Sequence, residues 1–96
     1  METARKIYDE NSATVIFDVR EADSANASKL SASVNISRGL LEMKAQKICP
    51  DPDTVILTHC GGGGRASLAA KTLGDMGYRK VYAITAPYDD VKKVFG

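Results

Sequence analysis

Little in this chain points to a membrane, a metal or another polymer. Its 96 residues hold only two cysteines, three prolines, one histidine and no tryptophan. Two cysteines are too few for a disulfide framework, and Cys49 and Cys60 lack the Cys-x-x-Cys spacing of a zinc or redox pair, so free thiols in a reduced compartment are expected. A metal site from Cys49, His59 and Cys60 would want a fourth ligand and a better spacing, and no metal or other cofactor is expected. No apolar stretch approaches the ~20 residues of a membrane helix, and the opening METARKIYDENS lacks the hydrophobic core of a signal peptide. The expectation is a soluble, cytoplasmic chain with no membrane partner. Thirteen basic and twelve acidic residues leave a net charge of +1, spread along the chain, so no long-range field draws it to nucleic acid.

What remains reads as globular. Hydrophobic residues make up 44% and charged residues 26%, close to the averages of folded proteins. A chain of this length can bury one core but not two, which predicts a single domain over residues 1–96. Ala4, Ile7 and Tyr8 fall at helical spacing ahead of the breaker-rich 9–12, and the β-branched and aromatic run 14–19 predicts a buried strand. Residues 18–27 are polar and small, suiting a loop and a helical turn, and a short apolar piece follows at 34–36. Leu40, Leu41, Lys44 and Ile48 keep step on a candidate helix that Pro50 and Pro52 stop. A second strand is predicted over 54–59 and a helix over 65–76, with Leu68, Ala69, Thr72, Leu73 and Met76 on one face and Gly77 as its cap. Residues 80–84 suit a third strand, and Val91, Val94 and Phe95 a last helix. Strands alternating with helices at this spacing predict an α/β fold, a small parallel β-sheet flanked by helices on both faces.

In such sheets ligands sit at the carboxyl ends of the strands, where Cys60 directly follows 54–59. The segment Thr-His-Cys-Gly-Gly-Gly-Gly-Arg-Ala-Ser, residues 58–67, runs from strand through four glycines into helix. Glycine reaches backbone angles closed to other residues, so the N–H groups of Gly61, Gly62, Gly63, Gly64, Arg65 and Ala66 can turn toward one point and hold an anion, aided by the helix N-terminus. Cys60 sulfur at that point would be stabilised as a thiolate, the nucleophilic form. Arg65 adds a permanent charge and a planar donor fork. Each ordered glycine costs roughly 0.5–1 kcal/mol relative to alanine, so four together are an odd choice for a mere connector. A phosphate loop needs Gly-Lys-Ser/Thr, whereas Gly64 is followed by Arg65 and Ala66. Gly61, Gly63 and Ala66 fit the dinucleotide pattern, but the next strand closes at Ile84 and Thr85 without an acidic residue for a ribose.

Cys60 to Arg65 resembles the active loop of the rhodanese family, a cysteine, four residues and an arginine between a strand and a helix. The likeness extends to Val15-Ile16-Phe17-Asp18-Val19-Arg20-Glu21, similar to the family's early strand ending in Asp-x-Arg-Glu, and to Leu73–Tyr82, similar to its Leu-x-x-x-Gly-[Phe/Tyr]-x-x-Val-Tyr. In the intervening Gly-His-Ile-Pro-Gly-Ala-x-Asn-Ile segment only Asn35 and Ile36, with the conservative Leu30, keep the pattern; Lys29 replaces the usual histidine. Thr85-Ala86-Pro87-Tyr88 stand where the family has Gly-Gly and a later tryptophan, and the strand often preceding its first helix is missing.

The resemblance implies a sulfurtransferase in which Cys60 takes a sulfane sulfur from a small-molecule donor such as thiosulfate or a persulfide and passes it to a thiol, a protein or cyanide. Cys60 and Arg65 would be catalytic, with Gly61, Gly62, Gly63, Gly64 and Ala66 binding substrate. A non-enzymatic sulfur carrier or sensor for a partner protein is the alternative class. Related phosphatases carry five residues between cysteine and arginine; one residue spans up to ~3.5 Å, so the shorter loop here suits a single terminal sulfur rather than a tetrahedral phosphate. Lys29, Asp18 and Arg20 are further candidates for anion contact, the last two more simply an internal salt bridge. Strand alternation turns His59 away from the Cys60 sulfur. Cys49 could resolve a persulfide as a disulfide with Cys60, or be a plain buried thiol.

Overall fold

The computed structural model describes residues 2–11, 13–28, 30, 33–61 and 64–95. Four strands, β1 (Val15–Asp18), β2 (Ser33–Asn35), β3 (Val55–His59) and β4 (Lys80–Ala83), form one parallel sheet in the order β2-β1-β3-β4. Among the described residues five α-helices accompany them: α1 (Glu2–Glu10), α2 (Ala22–Ala27), α3 (Leu41–Ile48), α4 (Gly64–Asp75) and α5 (Tyr88–Phe95). Both central strands are hydrophobic on both sides because helices cover both faces of the sheet.

The pleat sorts these residues into two cores. Phe17, Val19, Ile56 and Cys60 join Leu41, Ala45 and Cys49 at α3 and Ala66, Ala69 and Leu73 of α4. Ile16, Leu57 and Ile84 point the other way, into a cluster with Val91 and Phe95 of α5, against which Ala4, Ile7 and Tyr8 of α1 pack. The α/β sheet with helices on both faces is thus as the periodicity predicts.

Two helical faces differ from expectation. On α3 the buried residues are Leu41 and Ala45, continued by Cys49, while Leu40 and Ile48 are partly exposed. Arg38–Leu40 forms a turn of 3₁₀-helix before α3, which shifts the phase so that the i, i+4, i+8 row 41-45-49 faces inward. On α4 the buried row is Ala66, Ala69 and Leu73, and Leu68 is 58% exposed. Small alanines let α4 lie close on the sheet, which turns the larger leucine out.

The end of α4 shows why Gly77 is there. Tyr78 N–H donates to the Leu73 carbonyl at 3.1 Å and Gly77 N–H to the Gly74 carbonyl at 3.1 Å, the paired bonds of a Schellman stop. Such a stop needs a left-handed residue, and Gly77 has φ 109°. Tyr78 and Leu73 then share the core, and the Tyr78 hydroxyl donates to the Cys49 carbonyl.

Candidate functional site at the switch between β1 and β3

From β1 the chain moves outward to β2, then crosses back to β3 on the other side of β1. At such a reversal the connections leave in opposite directions and open a crevice at the carboxyl ends of the strands. A cavity of about 380 Å³ lies there, lined by Arg20 and Ser24 from beyond β1 and by Cys60, Gly61, Gly64 and Arg65 from beyond β3.

Cys60 is 3% exposed and belongs to the core, yet it lines this cavity. The Ala66 N–H, in the first turn of α4, donates to the Cys60 Sγ at 3.4 Å. That turn is fixed from below, because Thr58 Oγ1 donates to the Ala66 carbonyl at 2.8 Å. Sulfur therefore meets a helix N-terminus, where unpaired N–H groups and the helix dipole favour an anion. Gly62 and Gly63 lie outside the described residues, as does Lys29.

At the two described loop glycines the expectation of special backbone angles does not hold. Neither Gly61 nor Gly64 has a positive φ, and a Cβ on either meets nothing within 4 Å. Gly61 sits at a bend just after β3 and Gly64 opens α4 as its first helical residue, and neither takes the left-handed backbone that favours glycine. Arg65 is half exposed at the cavity mouth and forms a long 3.8 Å ion pair with Glu21.

Below the cavity is a polar group that the sequence suggested only in part. Asp18 and Arg20 form the expected internal salt bridge: Arg20 Nη2 donates to Asp18 Oδ2 at 2.7 Å and Nε to Oδ1 at 3.0 Å. Arg20 Nη2 also donates to the Ser28 carbonyl at 2.6 Å. The hydrogen bond to Asp18 raises the Arg20 pKa further, so its charge is permanent. Asn35 Nδ2 bridges the Asp18 and Arg20 carbonyls at 3.0 Å each, holding the end of β1 to β2.

Tyr88, which the sequence reading did not single out, ties these parts together. Its ring lies 3.9 Å beneath the Arg20 guanidinium carbon, its hydroxyl is 2.9 Å from Ser28 Oγ, and its main-chain N–H donates to the Gly61 carbonyl at 3.0 Å. An aromatic at the start of α5, directly after Pro87, was the available signal. His59 stacks on the same ring, with centroids 6.1 Å apart, and so faces α5 while Thr58 faces α4, as strand alternation requires. His59 is fully buried, and burial pushes its pKa below the ordinary value; Asp18 opposes that shift and Arg20 adds to it. Cys49 and Cys60 are not joined in a disulfide, and burial pushes the Cys49 thiol up. Among the described residues no group of metal-binding side chains comes together and no helix is long and apolar enough to cross a membrane.

A parallel α/β sheet carrying a buried cysteine at its switch point, aimed at by a helix N-terminus, defines the class of this protein. The sequence model of the rhodanese-like domain matches residues 1–93, and the chain belongs to that family. No curated protein matches the sequence. Among solved structures, a human single-domain sulfurtransferase superposes with a TM-score of 0.81 at 19% identity, covering 97% of this chain and 92% of that one. An Escherichia coli rhodanese with anions gives 0.75 at 22%, covering 80% and 91%. A Rhodopseudomonas palustris protein of unknown function, described as a possible tyrosine phosphatase, gives 0.79 at 28%, covering 97% and 76%. The first two likenesses are of fold.

Proposed function

We propose that this protein is a sulfurtransferase working through a persulfide on Cys60. The Cys60 thiolate attacks the outer sulfur of a donor such as thiosulfate. The donor's S–S bond breaks, sulfite leaves with the bonding pair, and Cys60 holds the transferred sulfur as a persulfide anion. An acceptor thiolate or cyanide then attacks that terminal sulfur, and the pair of the breaking S–S bond returns to Cys60. This is covalent catalysis by an activated nucleophile, with ping-pong kinetics.

The observation that carries the reading is the Ala66 N–H directed at Cys60 Sγ on the wall of a cavity that also receives Arg20 and Arg65. Main-chain donors suit a terminal sulfur anion, and the two guanidinium groups suit the anionic remainder of the donor. Arg65, with its weak tether to Glu21, is free to follow a donor in and out. Four residues between Cys60 and Arg65 favour sulfur over a phosphate group.

The test is transfer from thiosulfate to cyanide, set beside a mass spectrum of freshly purified protein. Turnover together with an added sulfur atom, both lost in Cys60→Ser, is the expected result. An adduct without turnover would favour a sulfur carrier for a partner protein, and hydrolysis of a phosphate ester without an adduct would favour a phosphatase.

A further inference from the structure

Sulfur transfer, as written above, uses the Arg20 guanidinium but does not say what holds it in place under the cavity. Arg20 is nearly buried, and each of its neighbours constrains it differently. Asp18 grips one edge of the guanidinium through Nε and Nη2, the Ser28 carbonyl takes a further bond from Nη2, and the Tyr88 ring lies against the plane at 3.9 Å. Carboxylate and carbonyl set the direction of the fork within its plane. Among the described contacts it is the ring that lies against that plane, and stacking is the contact that resists rotation out of it.

Tyr88 is itself held at several points. Its main chain is bonded to Gly61, its hydroxyl pairs with Ser28, and its ring stacks with His59. One residue at the start of α5 therefore spans from the loop behind Cys60 to the guanidinium on the opposite wall of the cavity.

We infer that Tyr88 is a positioning residue for the Cys60 site, its ring holding the Arg20 guanidinium against the cavity so that an anion approaching Cys60 meets that charge at a fixed place. The inference rests on Cys60 being the reacting group. It does not need sulfur to be the group transferred.

The experiment compares alkylation of Cys60 by the anionic reagent iodoacetate and the neutral reagent iodoacetamide, followed by peptide mass mapping so that Cys49 does not contribute. The ratio of the two rates reads the positive charge presented at the sulfur, a quantity that a merely structural role for Tyr88 would not move. Tyr88→Leu keeps the main-chain bond to Gly61 and removes the ring; the ratio should fall roughly three- to tenfold, while Tyr88→Phe keeps the ring and should hold it within about twofold of the native value. The KM for thiosulfate should rise by a similar factor in Tyr88→Leu, with kcat less affected. In an Arg20→Gln background, Tyr88→Leu should change the ratio no further, since the ring would have no charge left to place. An unchanged ratio in Tyr88→Leu, or an equal fall in Tyr88→Phe, overturns the inference. A native protein that fails to transfer sulfur removes the proposed function and leaves the alkylation result standing.

Discussion

The buried imidazole of His59 makes stability depend on pH in a window where little else titrates. His59 is the only histidine, and no other side chain has an ordinary pKa that changes its charge between about pH 5 and 8. Its ring is fully buried, and among the described residues neither nitrogen has a hydrogen-bond partner within the protein. Burial therefore lowers its pKa from the ordinary 6.5, with Asp18 acting against the shift and Arg20 with it. The unfolded chain takes up a proton as pH falls through 6.5 while the folded chain does not, so the unfolded state is favoured. Stability is full above that value and is lost on the way down to the folded pKa, by about 1.4 kcal/mol for each unit that separates the two. The assay is urea unfolding between about pH 5.5 and 7.5, in a Cys60→Ser background that removes the reactive sulfur, with and without His59→Gln. The parent should lose stability toward the acid end, and His59→Gln should be nearly flat whatever its absolute stability. An equal slope in both proteins would refute the reasoning.

Other perturbations follow from named contacts. Asp18→Asn leaves the nearly buried Arg20 charge without its counter-charge and should cost about 3 kcal/mol in urea unfolding, whereas Asp53→Asn, which breaks an exposed pair with Arg79, should change little. The glycines divide the same way. Gly77→Ala puts a side chain at φ 109° and should destabilise by roughly 1–2 kcal/mol, while Gly64→Ala, in open space at the head of α4, should be neutral or stabilise by up to about 1 kcal/mol, both read from melting curves.

The parts of the fold visible beforehand are those where one local signal suffices. The run Val15-Ile16-Phe17 is β-branched and aromatic and became β1, and Val55 to His59 became β3. Gly77 after a helical row marked its stop correctly. The placement of Cys60 between a strand and a helix at the carboxyl end of the sheet was legible because a strand, a cysteine and four glycines leading to an arginine and a helix follow one another there. The facing of α3 and α4 was not legible. Which of Leu40, Leu41 and Ala45, or Leu68 and Ala66, turns inward depends on a 3₁₀ turn and on how closely a helix lies on the sheet, and hydrophobicity alone prefers the leucines. Tyr88 was hidden for a related reason: its partners come from three places in the chain, Arg20, Ser28 and the stretch of His59 and Gly61, and no spacing encodes their meeting.

Alternation along β3 divides the labour at the site. Thr58 faces α4 and, through the Ala66 carbonyl, steadies the turn whose N–H reaches the Cys60 sulfur. His59, one residue on, faces α5 and stacks on the ring that lies under Arg20. One face of the sheet thus holds the sulfur, and the other holds the charge beside the cavity. The two faces meet at Gly61, whose carbonyl binds Tyr88 immediately after Cys60 in the chain. Through that bond Tyr88 couples the turn that holds the sulfur to the ring that holds the guanidinium.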